Sequence, residues 1–285
     1  MRRDEEMIAQ ILHVAKADNR IRAVLLTGSR ADPTIIKDRF QDFDIIYIVT
    51  RLDTFIKDRH WIDLFGERLI VQLPDEMGIG DKDNCSFHYL MLFKDYNRID
   101  LTLFPLEKLK NEFKRSSLTT VLLDKDNLFE NIPQADNSDY LINRPTGKEF
   151  ADCSNEFWWV STYVAKGLWR NEVTYAKEML EVPVRTMFLK VIEWYIGILT
   201  DFTVSFGKGG RNMKECLPPV LYDKILSTYP DSNIKNIWHS LLVMTQLFDE
   251  LAGKIATAMN FDYDTDTVAN VTSYLNSVYE MSKKK

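Results

Sequence analysis

Three short features place oxygen and charge where group-transfer chemistry would need them. Gly28-Ser29 follows the apolar run Ala23–Thr27, Asp42-Phe43-Asp44 opens the next apolar run, and Asp100 lies inside a later one, Arg98–Phe104. Strand alternation puts Asp42 and Asp44 on one face, and Asp100 has apolar neighbours in Ile99 and Leu101. On adjacent strands, three carboxylates would share a small patch, each raising the pKa of the others unless a cation lies among them. Mg²⁺ takes carboxylates together with substrate phosphates, and two such ions about 4 Å apart clamp both oxygens of an in-line displacement. Gly28 permits a tight turn whose N–H groups, with the Ser29 hydroxyl, can face a phosphate, and Arg30 can add a charge-assisted contact. The combination points to metal-dependent transfer from a nucleoside triphosphate. Singly, each piece has an ordinary explanation: a common turn, a solvated loop or helix cap, a strand-edge charge. Their order along the chain carries the specificity.

The elements that must position these residues fall into two halves. Met7, Ile8, Ile11, Leu12 and Ala15 predict a helix over Glu5–Lys16. Strand-like runs follow at Ala23–Thr27, Asp44–Val49, Leu69–Leu73, Phe87–Phe93, Arg98–Phe104 and Thr119–Leu123. Pro105 reads as the first residue of a helix. From Phe129 to Gly147 the pattern dissolves into Asn, Asp, Pro and Ser, a linker or surface crossing. Helical periodicity then runs through Lys148–Asn171, Tyr175–Phe202, Pro219–Thr228, Ile234–Met259 and Asp266–Met281. The expected class is α+β, an N-terminal mixed β-sheet with flanking helices (1–135) followed by a C-terminal helical bundle (136–285).

The 285 residues carry a formal charge of −6, which disfavours nucleic acid as a partner and suits a cationic small substrate better. The basic clusters are the Lys208–Lys214 stretch and a short lysine tail, too little for a template-binding groove. Three widely spaced cysteines, with no CxxC pair, indicate neither a disulfide framework nor a structural zinc site. His13, His60, His88 and His239 are scattered without ligand spacing. No apolar run approaches the ~20 residues that span a bilayer, and no apolar signal core follows the charged start. A cytoplasmic protein is expected, of undetermined oligomeric state.

Gly28-Ser29, Asp42-Phe43-Asp44 and Asp100 together resemble the signature of the polymerase-β-like nucleotidyltransferase superfamily. The stretches LLTGSRADP, QDFDIIYIVT, RIDLTLFP, NEFWWVSTYVAKGLWRNE, YAKEML and VSFGKGGRNMKECLP are similar to the aminoglycoside 6-adenylyltransferases that inactivate streptomycin, across essentially the whole chain. The resemblance implies a nucleotidyltransferase domain followed by a helical domain, and transfer of AMP from ATP to a streptomycin hydroxyl with release of pyrophosphate. It implies that Asp42 and Asp44 hold Mg²⁺, that Gly28 and Ser29 lie near the triphosphate, and that Asp100 is a further metal ligand or the base. Glu67, just before the Leu69 strand, is a weaker candidate for the base. The 12-residue gap between Ser29 and Asp42 is long for the superfamily and carries Arg30, Lys37 and Arg39.

Streptomycin bears guanidinium groups, which acids mixed with aromatics can hold. Asp152, Glu156, Trp159 and Tyr163 share one helical face and are candidates for that contact, although aromatics at this spacing are more often core. Gly207-Lys208-Gly209-Gly210-Arg211 with Lys214 forms a glycine-rich basic loop between helices, and Lys208 and Lys214 are candidates for the ATP phosphates. The competing readings are transfer to another small molecule or a protein hydroxyl, and a silent binding module. The latter should have lost one of the three aspartates, and all are present.

Overall fold

The computed structural model describes residues 1–79 and 85–284; Lys285 of the basic tail lies outside the described residues. The chain divides into two compact units, Met1–Asp139 and Tyr140–Lys285.

The first unit opens with α1 (Asp4–Ala17), whose Met7, Ile11, Val14 and Ala15 are buried. Six strands follow: β1 (Ile21–Thr27), β2 (Phe43–Val49), β3 (Arg68–Gln72), β4 (Phe87–Phe93), β5 (Arg98–Pro105) and β6 (Thr119–Asp124). They form one mixed sheet in the order β3-β4-β5-β2-β1-β6. Among the described residues, only the β2–β5 pair is parallel, and it lies at the centre of the sheet. Residues of odd number in β2, β4 and β5, such as Ile45, Tyr89 and Leu101, are buried in one core with α1, Phe55 and Phe65. Their even-numbered neighbours, Asp44, His88, Arg98, Asp100 and Thr102, are only half-buried. Alternation therefore sends the polar side chains of three strands to the opposite face from the core.

Short elements fill the connections: α2 (Leu52–Lys57), a 3₁₀ segment at His60–Phe65 and another at Pro74–Glu76. Asp75 of the latter accepts from the His88 backbone N–H at 2.7 Å and lies 3.1 Å from His88 Nδ1, which ties this turn to β4. Pro105 does not begin a helix. Its φ of −66° and ψ of 131° are extended, so it ends β5. The expected helix shrinks to a 3₁₀ turn at Leu106–Lys108 and the single turn α3 (Leu109–Glu112).

The second unit is helical throughout: α4 (Gly147–Trp169), α5 (Val173–Met179), α6 (Arg185–Leu199), α7 (Met213–Cys216), α8 (Pro219–Leu226), α9 (Ile234–Met259) and α10 (Thr265–Ser282). Thr146 and Glu149 close a capping box at the start of α4. Phe157 of α4 stacks on Phe248 of α9, ring centroids 3.7 Å apart, within one continuous apolar core. The helix expected over Tyr175–Phe202 is interrupted by a π-type turn at Leu180–Val184 that contains Pro183. Proline lacks the N–H that an α-turn needs, and the wider turn absorbs that loss. No described helix is long and apolar enough to cross a membrane.

Candidate active site

The central parallel pair brings the acids together. Asp44 of β2 is the register partner of Asp100 on β5 and of Thr27 on β1. Asp42 lies immediately before β2, two residues from Asp44 and so on the same face. Thr27 ends β1, and Gly28 turns the chain with a φ of +67°. A Cβ built on Gly28 would fall 2.4 Å from Asp44 Oδ2, so the backbone of the turn runs directly against that carboxylate. Among the described residues, no hydrogen bond reaches the Asp44 carboxylate. Burial, with added repulsion from Asp100 and Asp42, pushes its pKa up to about 6 against the opposing pull of Arg98 and Arg30. Burial raises Asp42 as well, with Asp100 adding to it and Arg98 opposing it.

Two arginines organise this patch. Arg30, expected to reach phosphate, is buried instead and committed to protein partners. Its Nε donates to the Asp42 carbonyl at 3.1 Å, its Nη2 to the Gln41 carbonyl at 2.9 Å and its Nη1 to Asp4 Oδ2 at 2.5 Å. The guanidinium also lies 3.8 Å from the centre of the Phe43 ring. Arg30 thus fixes the backbone that presents Asp42 and Asp44. Arg98 is the second. Its Nε and Nη2 each donate at 2.7 Å to one oxygen of Asp100, and its Nη1 stands 3.5 Å from Asp42 Oδ2. The sequence reading gave Arg98 no role. The available signal was its position two residues before Asp100 on one strand, which places both on the same face.

Among the described residues, no group of three or more His, Cys, Asp or Glu side chains is placed to cage a metal ion. The donor set nevertheless suits Mg²⁺, which binds through one or two carboxylates and fills its octahedron with water and substrate phosphates. Asp42 and Asp44 are hard oxygen donors beside a half-buried turn at Gly28-Ser29. Asp100 reaches the same patch while held by Arg98.

A family model described as streptomycin adenylyltransferase matches residues 1–278. The chain belongs to that family. A Campylobacter jejuni protein named aminoglycoside 6-adenylyltransferase is 41% identical over 263 residues, 92% of this chain and 91% of that one. A Bacillus subtilis (strain 168) protein of the same name is 36% identical over 281 residues, 98% of this chain and 99% of its own. A crystal structure of an aminoglycoside 6-adenyltransferase from Bacillus subtilis aligns with a TM-score of 0.47 at 34% identity, covering 98% of this chain and 99% of that one.

In this member of the streptomycin adenylyltransferase family, the remaining site candidates lie in the helical unit. Asp152, Glu156 and Trp159 of α4 are exposed and Tyr163 is half-buried. Asp152 is paired with Lys148, and Trp159 Nε1 donates to the Tyr163 hydroxyl at 2.7 Å. Asp152 and Glu156 line a groove of about 450 Å³ with Met187, Lys190 and Trp194 of α6. The four residues therefore divide, two beside the groove and two forming an aromatic pair of exposed Trp159 and half-buried Tyr163. The sequence reading gave Lys190 and Trp194 no role, and Trp194 is buried in the helical core. Lys208 and Lys214 are exposed, as is Arg211. The loop that carries Lys208 is held by Asn212, whose Nδ2 donates to the Ser205 carbonyl at 3.0 Å.

Proposed function

We propose that this chain transfers AMP from ATP to a hydroxyl of streptomycin or a similar aminoglycoside, releasing pyrophosphate and inactivating the drug. The reading is carried by one observation, the convergence of Asp42, Asp44 and Asp100 on a polar sheet face beside the Gly28-Ser29 turn. The full-length kinship with proteins named aminoglycoside 6-adenylyltransferases supports it.

Asp42 and Asp44 would hold Mg²⁺, with Asp100 as a further ligand or as the base for the drug hydroxyl. Magnesium, when bound, supplies charge neutralisation at the phosphates. Everything else falls to side chains and backbone. The N–H groups of the Gly28 turn and the Ser29 hydroxyl orient the triphosphate, while Arg30 holds the Asp42 carbonyl so that the two neighbouring acids keep their aim. Asp100, rather than the exposed Glu67, which is paired with Lys94, is the group on the acid face that can accept a proton within hydrogen-bond reach of a hydroxyl. Lys208 and Lys214 would contact phosphate, and Asp152, Glu156, Trp159 and Tyr163 the cationic drug. In this reading the sheet unit holds nucleotide and metal and the helical unit supplies substrate contacts, in a cytoplasmic enzyme with no nucleic-acid or membrane partner.

Incubating the protein with labelled ATP, Mg²⁺ and a panel of aminoglycosides should yield AMP-modified streptomycin. Modification of other aminoglycosides but not streptomycin would overturn the narrow substrate, and no transfer to any of them would overturn the reading itself.

A further inference from the structure

The acid face already contains a cation of its own. Arg98 grips both oxygens of Asp100 through Nε and Nη2 at 2.7 Å each, and its third nitrogen stands 3.5 Å from Asp42. One guanidinium therefore spans an acid of β5 and the acid just before β2. Three carboxylates against one guanidinium leave two negative charges, which a single divalent cation would balance. The fork is stiff where it meets Asp100, because strand spacing sets Arg98 and Asp100 side by side on one face and a two-bond pair fixes the carboxylate plane. Its outer side is not walled in, since 43% of the Arg98 side chain is accessible. The pair can thus loosen without disturbing the core behind it.

We propose that Arg98 is a positioning residue that competes with the divalent cation for Asp100, and so sets how tightly the acid face binds metal. This rests on the reading of Asp42, Asp44 and Asp100 as a metal site. A cation arriving at Asp42 and Asp44 meets Arg98 as a like charge, and it gains the Asp100 oxygens only as the fork releases them. Removing the guanidinium lifts the repulsion and frees the carboxylate in one step. Replacing it with lysine keeps the charge but loses the two-bond grip, so the effect should be smaller.

The test is direct titration with Mn²⁺, followed by calorimetry or by the electron-spin signal of the free ion. It uses the wild-type chain, Arg98→Met, Arg98→Lys and Asp44→Asn. Losing a like charge 3.5 Å from Asp42 and releasing both Asp100 oxygens should make Arg98→Met bind Mn²⁺ about tenfold more tightly than wild type, and Arg98→Lys about two- to threefold more tightly. In an Asp100→Asn background the gain from Arg98→Met should shrink to the part due to like-charge repulsion alone, an outcome that a merely structural arginine would not produce. Equal or weaker Mn²⁺ binding by Arg98→Met overturns this inference alone, and Arg98→Lys decides the matter by the same criterion if the methionine variant does not fold. Absence of Mn²⁺ binding in the wild type, or binding untouched by Asp44→Asn, overturns the metal reading and this inference with it.

Discussion

Gly28 and Asp44 approach so closely that a single added methyl would overlap the carboxylate, 2.4 Å from its Oδ2. Gly28 also holds a φ of +67°, in the region that side chains disfavour. Gly28→Ala should therefore act twice. We expect a loss of about 1–3 kcal/mol in stability from backbone strain, measured by urea unfolding. A displacement of Asp44 by a fraction of an ångström to one ångström should lower kcat by about 100-fold, measured with saturating ATP and drug.

Asp44 makes stability depend on pH in an unusual direction. Its pKa in the fold, about 6, lies above the ordinary carboxylate value. The folded chain then binds more protons than the unfolded one between pH ~4 and ~6. The stabilising contribution of the protonated acid is full below pH ~4 and is lost as the pH rises through 6. Asp44→Asn, which cannot ionise, should be about 1–3 kcal/mol more stable than wild type at pH 7.5 in the presence of EDTA. The difference should close at pH 4. Its adenylyl transfer should fall by at least about 1000-fold. Melting curves at the two pH values and a rate assay check both halves.

Arg30 separates a scaffold role from a phosphate role. As a buried guanidinium bonded to two carbonyls and Asp4, it should cost about 2–4 kcal/mol when replaced by methionine, since Asp4 and the carbonyls lose their charged donor. Arg30→Lys should recover little of this, because one ammonium cannot reproduce the fork. A phosphate ligand would behave differently, leaving stability unchanged and raising the KM for ATP. Thermal melts beside ATP kinetics distinguish the two.

Trp159 is 60% exposed, so its removal should barely change stability. Trp159→Ala and Asp152→Asn should instead raise the KM for streptomycin about tenfold and leave the KM for ATP alone. Lys208→Ala should do the reverse. Steady-state kinetics with each substrate varied in turn would expose a wrong assignment in either direction.

Much of the fold is legible in the chain because one sheet face is buried. The alternation through Phe43–Val49, Phe87–Phe93 and Arg98–Pro105 sorts core from polar positions without knowledge of the partners. The neighbour relation is not local. Asp44 stands opposite Asp100 because β2 and β5 pair in parallel across about fifty intervening residues, and no short-range pattern encodes that. The break in Tyr175–Phe202 was readable from Pro183 alone, since proline inside a helical run bends or ends it. The arginines were not. A guanidinium beside a phosphate-type turn has the same sequence signature whether it reaches outward to a ligand or folds back onto Phe43 and Asp4, and only packing separates the cases.

The long gap between Ser29 and Asp42 has a consequence for what this chain can tolerate there. Because Arg30 bonds to the carbonyls of Gln41 and Asp42, the residues between them form a ring fastened at its neck. Peptide inserted at the tip of that ring, beside the solvent-facing Ile36, is separated from the aspartates by the Arg30 fastening. An epitope grafted at Ile36 should therefore leave the turnover of the enzyme unchanged.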